Sequence, residues 1–73
     1  MDKKFDSLRI AKGIKACRQK LHLTQMEMAD IIGYSERHFR RLETEGTLNL
    51  SVLNDIADKL DVTAMDILMM GMS

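Results

Sequence analysis

The sequence has 73 residues, enough for one small domain over residues 1–73, near the lower size limit for folding without a disulfide, a metal or a partner subunit. Its single cysteine excludes an internal disulfide framework, and it has neither a membrane-length apolar run nor a secretory signal pattern, so we expect a soluble cytoplasmic protein. The formal net charge of zero argues against nucleic acid as a partner, because a nucleic-acid-binding domain is expected to be basic.

The first predicted helix spans about Ser7–Lys20, because its apolar residues recur at helical spacing. Ser7 is its predicted N-cap, and residues 1–6 are predicted to form a flexible arm before it. The second helix is predicted to begin at Thr24, which forms a capping-box pattern with Glu27. It is predicted to end at Gly33, which suits the left-handed C-cap conformation.

The third predicted helix has Ser35 as its N-cap and runs through Glu36–Glu43. Phe39 and Leu42 are its only apolar anchors, so we expect most of its surface to face solvent. The stretch Thr44–Leu50, which contains a glycine, is predicted to be a loop.

Two more helices are predicted in the last third of the chain. Ser51 is the predicted N-cap of the fourth, whose apolar residues recur at helical spacing as far as Leu60. Thr63, with Asp66 three residues later, is predicted to begin the fifth, which ends at Gly71. Because the sequence has no proline and no alternating run rich in Val, Ile and Thr, the predicted class is all-α.

Two short helices joined by a tight turn, the second with a cationic outer face, form a helix-turn-helix arrangement. Over about residues 10–68 the sequence resembles the Cro/lambda-repressor helix-turn-helix family, also called the XRE family. The resemblance rests on five segments: Ile14–Arg18, Leu23–Ala29, Ile32–Ser35, Phe39–Glu43 and Leu53–Leu60. It implies a compact five-helix, lambda-repressor-like domain that binds double-stranded DNA and regulates transcription, most often as a repressor.

The resemblance implies that the third helix lies in the DNA major groove. Glu36, Arg37 and Arg40 point away from its two apolar anchors. Arginine can form two hydrogen bonds with guanine O6 and N7, and glutamate can accept one from cytosine N4, so we expect these three residues to read bases. The alternative is a solvated helix face without a specific role.

Phosphate contacts are predicted for five residues: Arg18, Thr24, Gln25, Tyr34 and Arg41. In the family the position of Gln25 commonly contacts phosphate, although this residue could merely cap the second helix. Tyr34 could instead cover the core. Arg18 also corresponds, together with Glu43, to the family's ion pair between the first helix and the end of the third.

The charges are divided between the two parts of the chain. Residues 1–41 hold ten of the eleven basic residues and five acidic ones, a net of +5, whereas residues 42–73 have a net of −5. We therefore expect DNA to face the first part. The loop after the third helix departs from the family, because Thr44–Asn49 contains an acid and no Lys or Arg, so we expect weak phosphate binding there.

The acidic C-terminal part is predicted to make protein contacts. Residues 63–73 carry more apolar surface than one helix face can bury, which predicts a homodimer contact through Met65, Leu68, Met69 and Met72. Alternatively, the methionines only complete the core of the monomer. Two other functions stay open: an antitoxin whose acidic part binds a basic toxin, and the DNA-binding part of a larger ligand-responsive regulator.

No catalytic, metal or cofactor site is predicted. His22, His38 and Cys17 lack the spacing of metal ligands, and Cys17 has the spacing of a core residue, which indicates an inert buried thiol. The aspartates of the acidic part lack the order of a calcium-binding loop and indicate a solvated surface. Without a Gly-rich phosphate loop or a nucleophile–base pair, we expect no enzyme activity.

Overall fold

The computed structural model describes residues 6–72, which form five helices and no strand. The helices are α1 (Ser7–Lys20), α2 (Gln25–Ile32), α3 (Glu36–Glu45), α4 (Leu50–Lys59) and α5 (Ala64–Met70). The predicted all-α class and its five helices are confirmed. Of the predicted arm, residues 1–5 lie outside the described residues, as does Ser73. Among the helices of residues 6–72, none combines the length and the apolar character needed to cross a membrane.

Two predicted N-caps are wrong. Asp6 caps α1 in place of Ser7, because its Oδ1 accepts a hydrogen bond from the backbone N–H of Leu8 at 2.9 Å. Asn49 caps α4 in place of Ser51, because its Oδ1 accepts from the N–H groups of Ser51 and Val52 at 2.9 and 3.4 Å. Asp, Asn and Ser are comparably good N-caps, so the path of the chain decides between neighbouring candidates.

Helix α3 is longer than predicted. It continues through Thr44 to Glu45, which were assigned to a loop, and ends at Gly46, whose φ is 71°. The Thr44 hydroxyl donates a hydrogen bond to the Arg40 carbonyl within this last turn. The two additional residues keep Glu45 on the helix, four residues after Arg41.

The connection from α2 to α3 has the predicted local structure. At the start of α2, the Glu27 N–H donates to Thr24 Oγ1 at 3.1 Å and the Thr24 N–H donates to Glu27 Oε1 at 2.8 Å, which is the predicted capping box. Gly33 ends α2 with φ 80° and ψ 26°, a left-handed conformation that glycine adopts without a steric penalty. Ser35 then caps α3 by accepting from the His38 N–H at 3.1 Å.

Lys59 of α4 ties the C-terminal end of α2 to the rest of the fold. Its Nζ donates to the carbonyl of Ile32, the last residue of α2, at 3.1 Å and lies 3.3 Å from Asp55 Oδ2. The helix dipole favours a cation at this end, and the ammonium satisfies a carbonyl that has no partner within the helix. The turn that precedes α3 is therefore anchored on α4.

The core lies where all five helices meet. Its buried side chains are Ile10, Ile14, Met28, Ala29, Ile32, Phe39, Leu42, Leu53, Ile56, Ala57 and Ile67. Cys17 is also buried, and burial raises the pKa of its thiol. This agrees with the prediction of a buried thiol, since a thiol is less reactive when its thiolate is disfavoured.

Helix α5 packs closely against α1. A Cβ at Gly13 of α1 would overlap the carbonyl oxygen of Ile67 in α5, so this contact requires glycine. The start of α5 has the predicted capping pair, with hydrogen bonds between Thr63 and Asp66 of 2.9 and 3.0 Å. Hydrogen bonds from the Thr63 backbone and hydroxyl lower the pKa of the Asp66 carboxyl.

Candidate nucleic-acid interface

The outer face of α3 presents three arginines to solvent. Phe39 and Leu42 are buried on its inner side, whereas Arg37, Arg40 and Arg41 are exposed. Together with other α3 residues they line one shallow concave surface: Glu36, Arg37, Arg40, Arg41, Thr44 and Glu45. All three base-reading candidates of the sequence thus lie on the same open surface.

Two of the three arginines on this surface are paired with glutamates one helical turn away. Arg40 Nη2 donates to Glu36 Oε2 at 2.9 Å, and the two side chains are 63% and 33% exposed. Arg41 Nη2 lies 3.6 Å from Glu45 Oε1, and these side chains are 68% and 63% exposed. Within residues 6–72 Arg37 forms no ion pair. Arg37 can therefore bind a new partner without breaking an ion pair, whereas Arg40 and Arg41 cannot.

Glu43, at the inner side of α3, joins three helices. Its Oε2 lies 2.5 Å from Arg18 Nε of α1, and its Oε1 accepts hydrogen bonds from Arg18 Nη2 at 3.3 Å and from Gln25 Nε2 of α2 at 2.9 Å. The guanidinium also donates to the Leu23 carbonyl at 2.8 Å. The side chain of Glu43 is 4% exposed and that of Arg18 is 14% exposed, so this is a largely buried, hydrogen-bonded ion pair.

The predicted ion pair between Arg18 and Glu43 is thus present, but the bond from Gln25 was not anticipated. Gln25 lies in the first turn of α2, and its amide nitrogen has a second hydrogen that remains available to a ligand. Thr24 has its hydroxyl in the capping box, so the structure does not support Gln25 as the cap residue of α2. The sequence carries no signal for this bond, because the proximity of Gln25 to Glu43 depends on how α2 and α3 meet.

Tyr34, at the turn, stacks on His38 of α3. Their ring centroids are 4.5 Å apart and the rings are 6° from parallel. Tyr34 also packs partly against the core, which matches the alternative in which it covers the core. The stack fixes the Tyr34 ring against the start of α3, a contact that the sequence analysis did not anticipate.

The loop between α3 and α4 is short and has no basic residue. It runs over residues 46–49, and the Asn49 side chain is occupied as the cap of α4. Leu48 and Leu50 are exposed at its end. Weak phosphate binding at this loop stays a prediction.

The α5 segment has an exposed methionine stripe, which we define as Met65, Met69 and Met72. Leu68, the fourth predicted dimer residue, is half-buried and packs against the core of its own chain. The acidic α4 residues Asp55 and Asp58 are exposed. No group of His, Cys, Asp and Glu side chains within residues 6–72 is arranged to hold a metal ion.

Comparison with known families identifies the fold. The family model HTH_3, described as helix-turn-helix, matches residues 14–67, which include α2, the turn and α3. No curated protein and no solved structure matches the chain significantly. The chain therefore belongs to the Cro/C1-type helix-turn-helix family, or XRE family, and is a DNA-binding transcriptional regulator of that type with a lambda-repressor-like fold.

Proposed function

We propose that this protein is a cytoplasmic repressor that binds a palindromic operator as a homodimer, with α3 of each subunit in the major groove. The observation that supports this proposal best is the open outer face of α3, which presents Arg37, Arg40 and Glu36 side by side. Occupation of the operator would obstruct transcription without any enzymatic step.

Base readout is assigned to the N-terminal half of α3. Arg37 is the first candidate for guanine, because its guanidinium is exposed and has no ion-pair partner within residues 6–72. Arg40 and Glu36 are close enough to act on neighbouring base pairs, with Glu36 accepting from cytosine N4. Each such contact contributes about 1–3 kcal/mol of discrimination between bases.

Phosphate contacts are assigned to the edges of the helix-turn-helix. Gln25 is held at the start of α2 by its bond to Glu43, with one amide hydrogen and the free backbone N–H groups available for a phosphate oxygen. Arg41 is exposed at the edge of the face of α3 that is assigned to base readout, and the Tyr34 hydroxyl belongs to the turn before α3. Thr24 and Arg18 are engaged within the protein and contribute by orienting this region.

Dimerisation is assigned to the methionine stripe of α5. One α3 reads about half of a site, and the two half-sites of an operator lie about 34 Å apart, so useful affinity requires two linked copies. Met65 and Met69 are four residues apart and therefore lie on the same face of α5, Met72 follows the helix, and all three side chains are exposed. Flexible thioether side chains of this kind pack well against a second copy.

Selection of bound sequences from random DNA tests the DNA part of the proposal. We expect a two-fold symmetric consensus, and we expect Arg37→Ala and Arg40→Ala each to weaken binding to it by about 5- to 150-fold, the equivalent of one lost base contact. Lys15→Ala, which removes an exposed positive charge from α1 at a residue with no assigned role in base readout, phosphate contact or dimerisation, is the matched control. If both arginine variants bind the consensus as the unaltered protein does, α3 is not the reading helix.

Sedimentation equilibrium tests the dimer. The proposal predicts a dimer at tens of micromolar that Met69→Glu dissociates, because a carboxylate would be buried without a partner. Met26→Glu is the matched control, since Met26 is an equally open methionine on α2, outside the stripe. A monomer at these concentrations, or equal effects of the two substitutions, would refute the assignment to α5.

A further inference from the structure

Helix α3 carries its own counter-charges on the surface that is assigned to DNA. Glu36 and Glu45 hold Arg40 and Arg41 at 2.9 and 3.6 Å, and all four residues line the same concave surface. A phosphate oxygen that approaches either arginine must therefore displace a carboxylate that stays nearby and repels it.

Helix stability accounts for Glu36 but not for Glu45. Glu36 is the first residue of α3, where the helix dipole favours an acid, whereas Glu45 is the last, where the dipole disfavours one. The ion pair of Glu45 is also weak, because both partners are mostly exposed and their charged atoms are 3.6 Å apart. The position of this acid thus has no evident value for the fold.

We propose that Glu36 and Glu45 are specificity-determining residues that act by holding Arg40 and Arg41 in competition with DNA phosphates, which limits binding to unrelated sequences. This inference rests on the proposed function, in which α3 faces DNA. At a correct site, Arg40 gains guanine and Glu36 gains a base amino group, so separation of the pair is compensated. At an incorrect site, Arg40 gains only phosphate and Glu36 is left facing the DNA backbone.

The effect of Glu45 is predicted from counterion release. Each phosphate neutralised by a basic side chain steepens the slope of log affinity against log salt by about 0.9. Glu45→Gln frees Arg41 for one phosphate, so we expect the variant to bind random-sequence duplex more tightly and with a slope steeper by about 0.9. The ratio of the variant's affinity for random-sequence duplex to that of the unaltered protein is then about 3.5-fold larger at 50 mM salt than at 200 mM salt.

The experiment measures binding of the full chain to random-sequence duplex and to the selected operator over this salt range. Asp58→Asn is the matched control, because it removes one exposed acid from α4 instead of α3. We expect Asp58→Asn to leave the slope unchanged. We expect Glu36→Gln to tighten binding to random duplex and to reduce the ratio of operator to random-sequence affinity.

Two results separate this inference from the proposed function. If Glu45→Gln has the same slope and random-duplex affinity as Asp58→Asn while Arg37→Ala still weakens binding to the operator, the inference is overturned and the proposed function stands. If Arg37→Ala, Arg40→Ala and Glu45→Gln are all without effect, α3 does not face DNA, and both the inference and the proposed function fail.

Discussion

The buried junction at Glu43 offers the sharpest test of the structural reasoning. Glu43→Leu removes a carboxylate that is 4% exposed and leaves the Arg18 guanidinium, 14% exposed, with the Leu23 carbonyl as its remaining hydrogen-bond acceptor. Loss of one partner of a buried ion pair costs about 3–5 kcal/mol. A chain of 73 residues has a total stability of about 4–11 kcal/mol, so this one change removes a large part of it.

The double variant is more informative than either single one. Arg18→Met alone leaves the Glu43 carboxylate buried with Gln25 as its remaining donor, so we expect a similar loss of about 3–5 kcal/mol. Combining Arg18→Met with Glu43→Leu removes both charges and replaces them with apolar side chains of similar size. Since such replacements are often nearly neutral, we expect the double variant to be more stable than either single variant. Relative to the unaltered protein it should lose about 1 kcal/mol, because the Gln25 amide no longer has the Glu43 carboxylate as its acceptor.

Urea unfolding followed by circular dichroism measures these free energies. At unchanged m-values, each single variant should have a much lower midpoint, and its thermal midpoint should fall by about 12 °C or more. Glu45→Gln is the control, because it breaks an exposed ion pair and should change the stability by less than about 1 kcal/mol. If the two single losses add in the double variant, Arg18 and Glu43 are not energetically coupled and the argument is wrong.

Three further measurements concern packing and titration. Gly→Ala stabilises an ordinary helix, but Gly13→Ala should lower the free energy of unfolding by about 1–3 kcal/mol, because the added Cβ overlaps the Ile67 carbonyl oxygen. A higher urea midpoint for this variant would contradict the expectation. Because hydrogen bonds from Thr63 lower the pKa of Asp66, its carboxylate stabilises the fold above about pH 4, and this contribution disappears as the pH falls through the folded-state pKa. The stability difference between the unaltered protein and Asp66→Asn should therefore shrink between about pH 6 and about pH 2, and a constant difference would refute the linkage. Burial raises the pKa of Cys17, so a thiol reagent should modify it only after unfolding in urea; rapid reaction of the folded protein would count against a closed core.

Features encoded within a few residues were predictable from the sequence. The capping boxes at Thr24 and Thr63 and the left-handed end of α2 at Gly33 depend on neighbouring residues alone, and all three are present. The caps of α1 and α4 were not predictable, because Asp6 and Asn49 compete with adjacent serines of similar capping strength. In those cases the tertiary path of the chain selects one candidate.

Contacts between helices were less accessible to sequence reasoning. The ion pair of Arg18 with Glu43 followed from a family resemblance, but the bond from Gln25 depends on the angle between α2 and α3. The need for glycine at position 13 depends likewise on how closely α5 approaches α1. Periodicity predicts which face of a helix is buried, but it does not give the distance to the next helix.

The chain has equal numbers of basic and acidic residues, and several of these charges pair locally. Four cations of residues 6–72 form ion pairs with acids: Arg18, Arg40, Arg41 and Lys59. The first is neutralised inside the fold, the next two on the proposed reading face, and the last at the end of α2. Exposed cations outside these ion pairs, Lys12, Lys15 and Lys20 of α1 and Arg37 of α3, can attract phosphate at long range without separating a pair. If α3 faces DNA as proposed, a phosphate contact by Arg40 or Arg41 requires separation of its ion pair, and the two glutamates would then influence where the protein binds.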